Sequence, residues 1–213
     1  MHTPHNTPAA AIAASRRAAG LPHRARLRNG APVHIRPVRP ADAPRFGEFV
    51  RKLSAASRGW RFQGGLGPCT PAVLQDLVHV DGVNHFCTIA TRPEAGREEV
   101  IGEARYCVDV DADCAEMAIA VADTCQGLGL ADELLDHLVD AARDAGLRCL
   151  FCEVPASNAR MIRFMQRMGF VIRERLGEGS TLRMERDVTA LRNPSRPVLA
   201  LRRWLSQISQ FNA

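Results

Sequence analysis

The run Cys114-Ala-Glu116-Met-Ala-Ile-Ala-Val121-Ala-Asp-Thr-Cys-Gln126-Gly-Leu-Gly129-Leu-Ala131 decides the fold. Its first half alternates. Ala115, Met117, Ile119 and Val121 fall on one face of a strand, and Glu116, Ala118 and Ala120 fall on the other. After Gly129 the period changes to 3.6, with Leu130, Leu134, Leu135, Leu138, Val139 and Ala142 along one helical face and Gly146 at the C-cap. Between strand and helix stands Gln-x-x-Gly-x-Ala, at Gln126, Gly129 and Ala131. Small residues there let a ligand approach the backbone closely. The start of a helix leaves amide N–H groups unpaired and its dipole favours an anion, so a diphosphate is the natural guest. A tight turn with a helix cap accounts equally well for a glycine pair taken alone.

Outward from this junction the pattern is one α+β domain. Val33-His34-Ile35-Arg36 alternates as a strand does, and Pro37 and Pro40 break it. Asp42 is placed to cap a helix bearing Phe46, Phe49, Val50 and Leu53, and Ser54 to cap a further turn reaching Trp60 and Phe62. Residues 63–70 read as loop, and Pro71 opens a helix with Val73, Leu74, Leu77 and Val78. Three strands, at residues 85–92, 100–110 and 114–121, are expected to form an antiparallel meander. Beyond the central helix come a strand at 147–154, a helix capped by Ser157 or Asn158 and closed by Gly169, and a hairpin from 170–175 and 181–185. The expectation is a sheet covered by helices.

The paired motifs resemble the GNAT superfamily of acetyltransferases. The loop Gln126-Gly127-Leu128-Gly129-Leu130-Ala131 is similar to that family's pyrophosphate-binding loop. The segment from Asn158 through Met161 and Phe164 to Gly169-Phe170 is similar to its second coenzyme-contacting helix. The resemblance spans residues 33–187. Residues 35–42, with Leu53-Ser54, Ser57-Arg58 and Arg61-Phe62, narrow it to the acetyltransferase domain of bacterial protein-lysine acetyltransferases that modify acyl-CoA synthetases. It implies a GNAT fold, a central mostly antiparallel mixed sheet flanked by helices, with acetyl-CoA at the junction of strand 4 and helix 3. It further implies acetyl-CoA as co-substrate, with Ile119, Ala120, Val121, the loop from Gln126 to Ala131, Asn158, Met161 and Phe164 as its contacts, and no metal. The acceptor is an amine: a protein lysine, or a small metabolite or polyamine. A non-catalytic acyl-CoA-binding regulatory protein is the alternative of another class.

An attacking amine must lose a proton, and a carboxylate can take it. Glu116 is a lone carboxylate on a face otherwise made small by alanines, where partial burial would raise its pKa. The resemblance implies the same residue as general base. Asp111 and Asp113 read as turn formers, and Glu103 and Glu153 as surface charges or ion-pair partners. Many GNAT enzymes carry a tyrosine general acid on the last motif helix. Met165 stands at that position, and Tyr106, the chain's single tyrosine, lies on another strand. Backbone amides around Ile119–Val121 are expected to receive the oxyanion. The stripe Met161, Phe164, Met165 and Met168 reads chiefly as core.

Composition bounds the rest. Residues 1–41 hold seven arginines and no Asp or Glu, while the whole chain nets +5, so the body is net negative. The basic balance therefore argues for no nucleic-acid partner of the fold itself. Residues 1–30 read as a flexible basic tail, with an organelle address or a nucleic-acid-binding arm as alternatives. The domain is expected at 31–190. An amphipathic helical extension follows at 191–213, packed on the domain or on the partner of a homodimer. No apolar run reaches the roughly 20 residues of a membrane span. The seven cysteines are odd in number and irregularly spaced, which suits small core side chains in a reducing cytoplasm. Cys149 and Cys152 sit on opposite faces of one strand, against a shared metal or redox role.

Overall fold

A computed structural model describes residues 22–62, 70–94, 96–108 and 113–189. Eight strands form one sheet: β1 (His23–Arg26), β2 (Pro32–Pro37), β3 (His85–Glu94), β4 (Arg97–Val108), β5 (Cys114–Val121), β6 (Cys149–Pro155), β7 (Val171–Leu176) and β8 (Thr181–Asp187). Among the described residues five α-helices accompany them: α1 (Ala43–Lys52), α2 (Ala55–Phe62), α3 (Pro71–Val78), α4 (Leu130–Asp144) and α5 (Ala159–Arg167). The strand order is β1-β2-β3-β4-β5-β6-β8-β7, antiparallel at every pair except β5–β6. This is the expected mixed, mostly antiparallel sheet.

Alternation builds two cores. Met117 and Ile119 of β5 join Phe86, Tyr106, Leu134, Leu135 and Leu138 beneath α4. Ala120 turns to the opposite face, with Phe46, Phe49 and Val50 of α1, Val78 of α3 and Ile89 of β3. Helix α4 lies close on the sheet. A Cβ at Gly102 would come 2.9 Å from Leu134 Cδ1 and 3.3 Å from Leu130 Cδ2. A side chain there would have to displace the ends of both leucines and would crowd Ala120 O, 3.2 Å away.

The β5–β6 pairing is short. Cys114, Ala115 and Glu116 face Cys149, Leu150 and Phe151, and no later pair follows among the described residues. Beyond Phe151, β6 continues along β8 as far as Pro155 opposite Thr181. The sheet is therefore split at its middle, and the split is where the site forms.

Several expectations change. Residues 23–26, read as tail, form β1, paired antiparallel with 32–35 of β2. Its burial alternates half-buried with exposed, which an arginine-rich edge strand tolerates because the ladder bonds are main-chain. Residues 1–21 and 190–213, with the expected C-terminal helix, lie outside the described residues, as do Asp111, Cys69 and the loop at 63–69. Asp42 does not cap α1 by side chain. Its carboxylate accepts the Arg39 amide at 2.8 Å and both Nη1 and Nη2 of Arg36, at 2.7 and 2.8 Å.

Of the two roles expected for Glu103, it takes that of ion-pair partner and not of surface charge. It is fully buried between Arg61 (Nε to Oε1, 2.6 Å) and Arg105 (Nε to Oε2, 2.8 Å). Burial alone would raise its pKa, but the two guanidiniums outweigh it and hold the carboxyl at about 2. The cysteines are not all free core side chains either. Cys114 and Cys149 form a disulfide with a Cα–Cα separation of 4.6 Å. Parallel register brings them opposite one another, at a distance a disulfide spans. Cys152, on the other face of β6, is buried and free.

Candidate active site

The split between β5 and β6 opens a cavity of about 1170 Å³. One wall is β5, contributing Glu116 through Val121. The floor of one end is the loop at Gln126, Gly127, Gly129 and Ala131. Helix α5 supplies Met161, Phe164 and Met165, preceded by Asn158, and helix α2 closes the far side with Ser57, Trp60 and Arg61.

The loop is shaped by two left-handed glycines, Gly127 (φ 78°) and Gly129 (φ 88°), conformations that cost an L side chain about 1–2 kcal/mol. Gly129 is the N-cap of α4. The amides of Cys125 and Gln126 are already used, donating to Ala122 O at 2.8 Å and Asp123 O at 3.4 Å. The first bond of α4 runs from the Glu133 amide to Gly129 O at 3.3 Å, and the amides at the helix start that precede it lack i−4 partners. Amides at a helix start, set beside two left-handed glycines, form a cradle for an anion. Arg28 lies beside it, its Nη1 donating to Gly127 O at 3.4 Å and its amide to Leu128 O at 3.0 Å. Arg160, Arg163 and Arg167 add positive charge from α5.

The β5 backbone supplies a second set of donors. The Ala122 amide bonds Ile101 O on β4 at 2.9 Å. Strand alternation then directs the amides of Val121 and Ile119 to the opposite side, into the split. These two amides are suited to polarise a carbonyl lying there.

Glu116 is exposed at the mouth, which corrects the expected partial burial. It pairs in register with Phe151 on β6 and Cys107 on β4. Met165 lines the cavity, 1% exposed, and offers no proton. Tyr106 is buried on β4 with its hydroxyl donating to Val83 O at 3.4 Å, and burial pushes its phenol up. It does not line the cavity. Asn158 caps α5, its Oδ1 accepting from the Met161 amide at 3.1 Å.

Most residues proposed from the sequence thus meet in one cavity. Leu128 and Leu130 are the exceptions, since their side chains pack into the core and only their backbone faces the cradle. Residues that the sequence did not propose as catalytic or coenzyme contacts complete the walls: Arg28, Ser57, Trp60, Asp123, Arg160, Arg163 and Arg167. The spacing of 160, 163 and 167, one face of a helix, was the available signal for the last three.

Residues 60–170 match the Acetyltransferase (GNAT) family, and this chain belongs to that family. An acetyltransferase of Pseudomonas aeruginosa is 35% identical over 145 residues, covering 68% of this chain and 78% of the relative. Acetyltransferase Pat of Mycolicibacterium smegmatis is 34% identical over 153 residues, 71% of this chain but only 45% of the relative's length. Among solved structures, the GNAT domain of S. lividans PAT superposes with a TM-score of 0.70 at 28% identity, covering 78% of this chain and 96% of that domain. The protein is a GNAT acetyltransferase, a fold that uses acetyl-CoA.

Proposed function

We propose that this acetyltransferase passes the acetyl group of acetyl-CoA to the ε-amine of protein lysines, with Glu116 as the general base. The observation that carries this reading is the exposure of Glu116 on a cavity that the anion cradle also lines. A lysine carried on another protein can reach an exposed carboxylate, whereas a small amine is usually enclosed and held by several convergent polar groups. Trp60, 42% exposed and lining the same cavity, offers an apolar surface for the aliphatic stem of a lysine. The front-half resemblance to protein-lysine acetyltransferases supports the same acceptor.

In this scheme the diphosphate of acetyl-CoA rests on the amides from Gly127 to Ala131, and the arginines of α5 and Arg28 offset its charge. The thioester lies along β5. Glu116 takes a proton from the lysine ammonium, directly or through water. The amine attacks the carbonyl carbon, and the amides of Ile119 and Val121 hold the oxyanion. Collapse of that intermediate breaks the C–S bond and expels CoA thiolate; the second proton of the acylated nitrogen passes to solvent, and the thiolate is protonated from solvent because Met165 cannot donate. Holding amine and thioester together is the largest contribution, an effect that can reach about 7–11 kcal/mol.

The test is incubation with labelled acetyl-CoA and two panels, lysine-containing proteins on one side, polyamines and free amino acids on the other. Label on lysine side chains located by mass spectrometry supports the proposal. Label confined to polyamines or amino acids overturns it.

A further inference from the structure

Helix α2 forms the wall of the cleft that faces an incoming acceptor, yet none of its residues is buried. Its apolar packing is confined to half-buried Phe62 at its end, against the core of α1 and α3, so polar tethers decide where its first turn sits. One tether is at its end, where Arg61 meets buried Glu103 at 2.6 Å. The other is at its start. Asp123 Oδ2 accepts the Ser54 amide at 2.9 Å, and Oδ1 accepts the hydroxyls of Ser54 at 3.0 Å and Ser57 at 2.7 Å. Ser54 Oγ in turn accepts the Ser57 amide at 3.1 Å, capping the helix.

Asp123 also reaches the other side of the cleft. Gln126, the first residue of the loop motif, directs its Nε2 to Asp123 Oδ1 (3.4 Å), Ser57 Oγ (3.4 Å) and Val121 O (3.2 Å). The Gln126 Oε1 accepts Arg160 Nη1 of α5 at 2.6 Å. A continuous chain of hydrogen bonds thus runs from α2 through Asp123 and Gln126 to α5, joining three elements that border the cavity. Although some burial pulls the Asp123 carboxyl up, the Ser54 and Ser57 donors outweigh it and hold the group below its ordinary range.

We propose that Asp123 is a positioning residue that links coenzyme binding at the loop to the placement of α2, and so sets the acceptor side of the cleft. The proposal rests on coenzyme and acceptor sharing this cleft as described above. Anion binding at Gly127–Ala131 steadies the loop, Gln126 holds its place against Asp123, and Asp123 fixes the first turn of α2. The acceptor wall is then ordered when the coenzyme is present.

The experiment is hydrogen exchange on the full chain, with and without CoA, read at the amides of residues 55–62, alongside calorimetric CoA binding. In the unaltered protein CoA is expected to slow exchange in that stretch at least threefold. Asp123→Ala should bind CoA within about threefold of the unaltered protein and lose the slowing at 55–62, while Asp123→Asn, which keeps an accepting oxygen for the hydroxyls, restores most of it. Equal slowing in Asp123→Ala, or no CoA effect at 55–62 in the unaltered protein, overturns the proposal. Absence of CoA binding to the unaltered protein instead overturns the coenzyme site itself, and the proposal with it. Should Asp123→Ala fail to fold, Ser57→Ala removes the shortest Asp123 contact, together with the longer one from Gln126 to the same hydroxyl, and is read by the same outcomes. Once an acceptor is in hand, Asp123→Ala should raise the acceptor KM about tenfold with kcat and the acetyl-CoA KM within threefold. A drop in thermal stability with both KM values unchanged would show a merely structural role.

Discussion

Cys114 and Cys149 are bonded across the one parallel strand pair among the described residues, on the same face of β5 as Glu116 two residues further on. The bond pins the strands just below the point where they part, so it anchors the hinge of the split. A loop of this length is closed at a stabilisation of typically 2–4 kcal/mol. Reduction, or the pair Cys114→Ser and Cys149→Ser, is expected to lower stability by about that amount. Thermal melts with and without reductant, together with a thiol count in denaturant that rises by two on reduction, check this. An unchanged thiol count would mean that the bond does not form in solution.

Replacing Glu116 by Gln keeps shape and removes the base. We expect kcat to fall about 10²–10⁴-fold, the range typical of a single general base, with CoA binding unchanged. Steady-state kinetics on any acceptor found, and CoA calorimetry, measure the two parts. Full activity in the variant would remove Glu116 from the proposed chemistry.

Gly129 tests the cradle. A Cβ there meets only the flexible Arg28 side chain at 3.6 Å, but the backbone sits at φ 88°. Gly129→Ala should cost about 1–2 kcal/mol through conformation alone, or else turn the loop and misdirect its amides. Calorimetry should show CoA affinity down roughly tenfold, with the folded state retained.

Glu103 governs acid stability. Its folded pKa, about 2, lies below the ordinary 4.5, so its contribution is complete above pH 4.5 and is lost as pH falls from there toward 2. Denaturant melts across that window should show stability falling, and Glu103→Gln should flatten the slope. At neutral pH the variant should lose about 3–5 kcal/mol, because Arg61 and Arg105 are left facing a neutral group in a buried place.

Strong periodicity made the central elements legible. The leucines from 134 to 138, the alternation in β5 and the glycines at 127 and 129 each act locally, so a linear reading finds the strand, loop and helix that define the cleft. Long-range pairings were not legible. Strand β1 carries arginines on its outward face and is held by main-chain bonds, which leave no hydrophobic trace. The Cys114–Cys149 contact depends on the register of two strands with a helix between them. For Glu103 the sequence left surface charge and ion-pair partner open, because burial of a carboxylate becomes tolerable only once both arginines, one of them 42 residues away, are in place. The tether from Ser54 and Ser57 to Asp123 joins residues 69 and 66 apart.

The docking of the Arg28 amide on Leu128 O has a practical bearing on any attempt to work with a shorter piece. The region that matches the family begins at residue 60. A fragment cut there, or even at residue 31, would discard the hairpin that braces the loop. Such a fragment would be a poor surrogate, and weak coenzyme binding by it would report the missing brace rather than the native cleft.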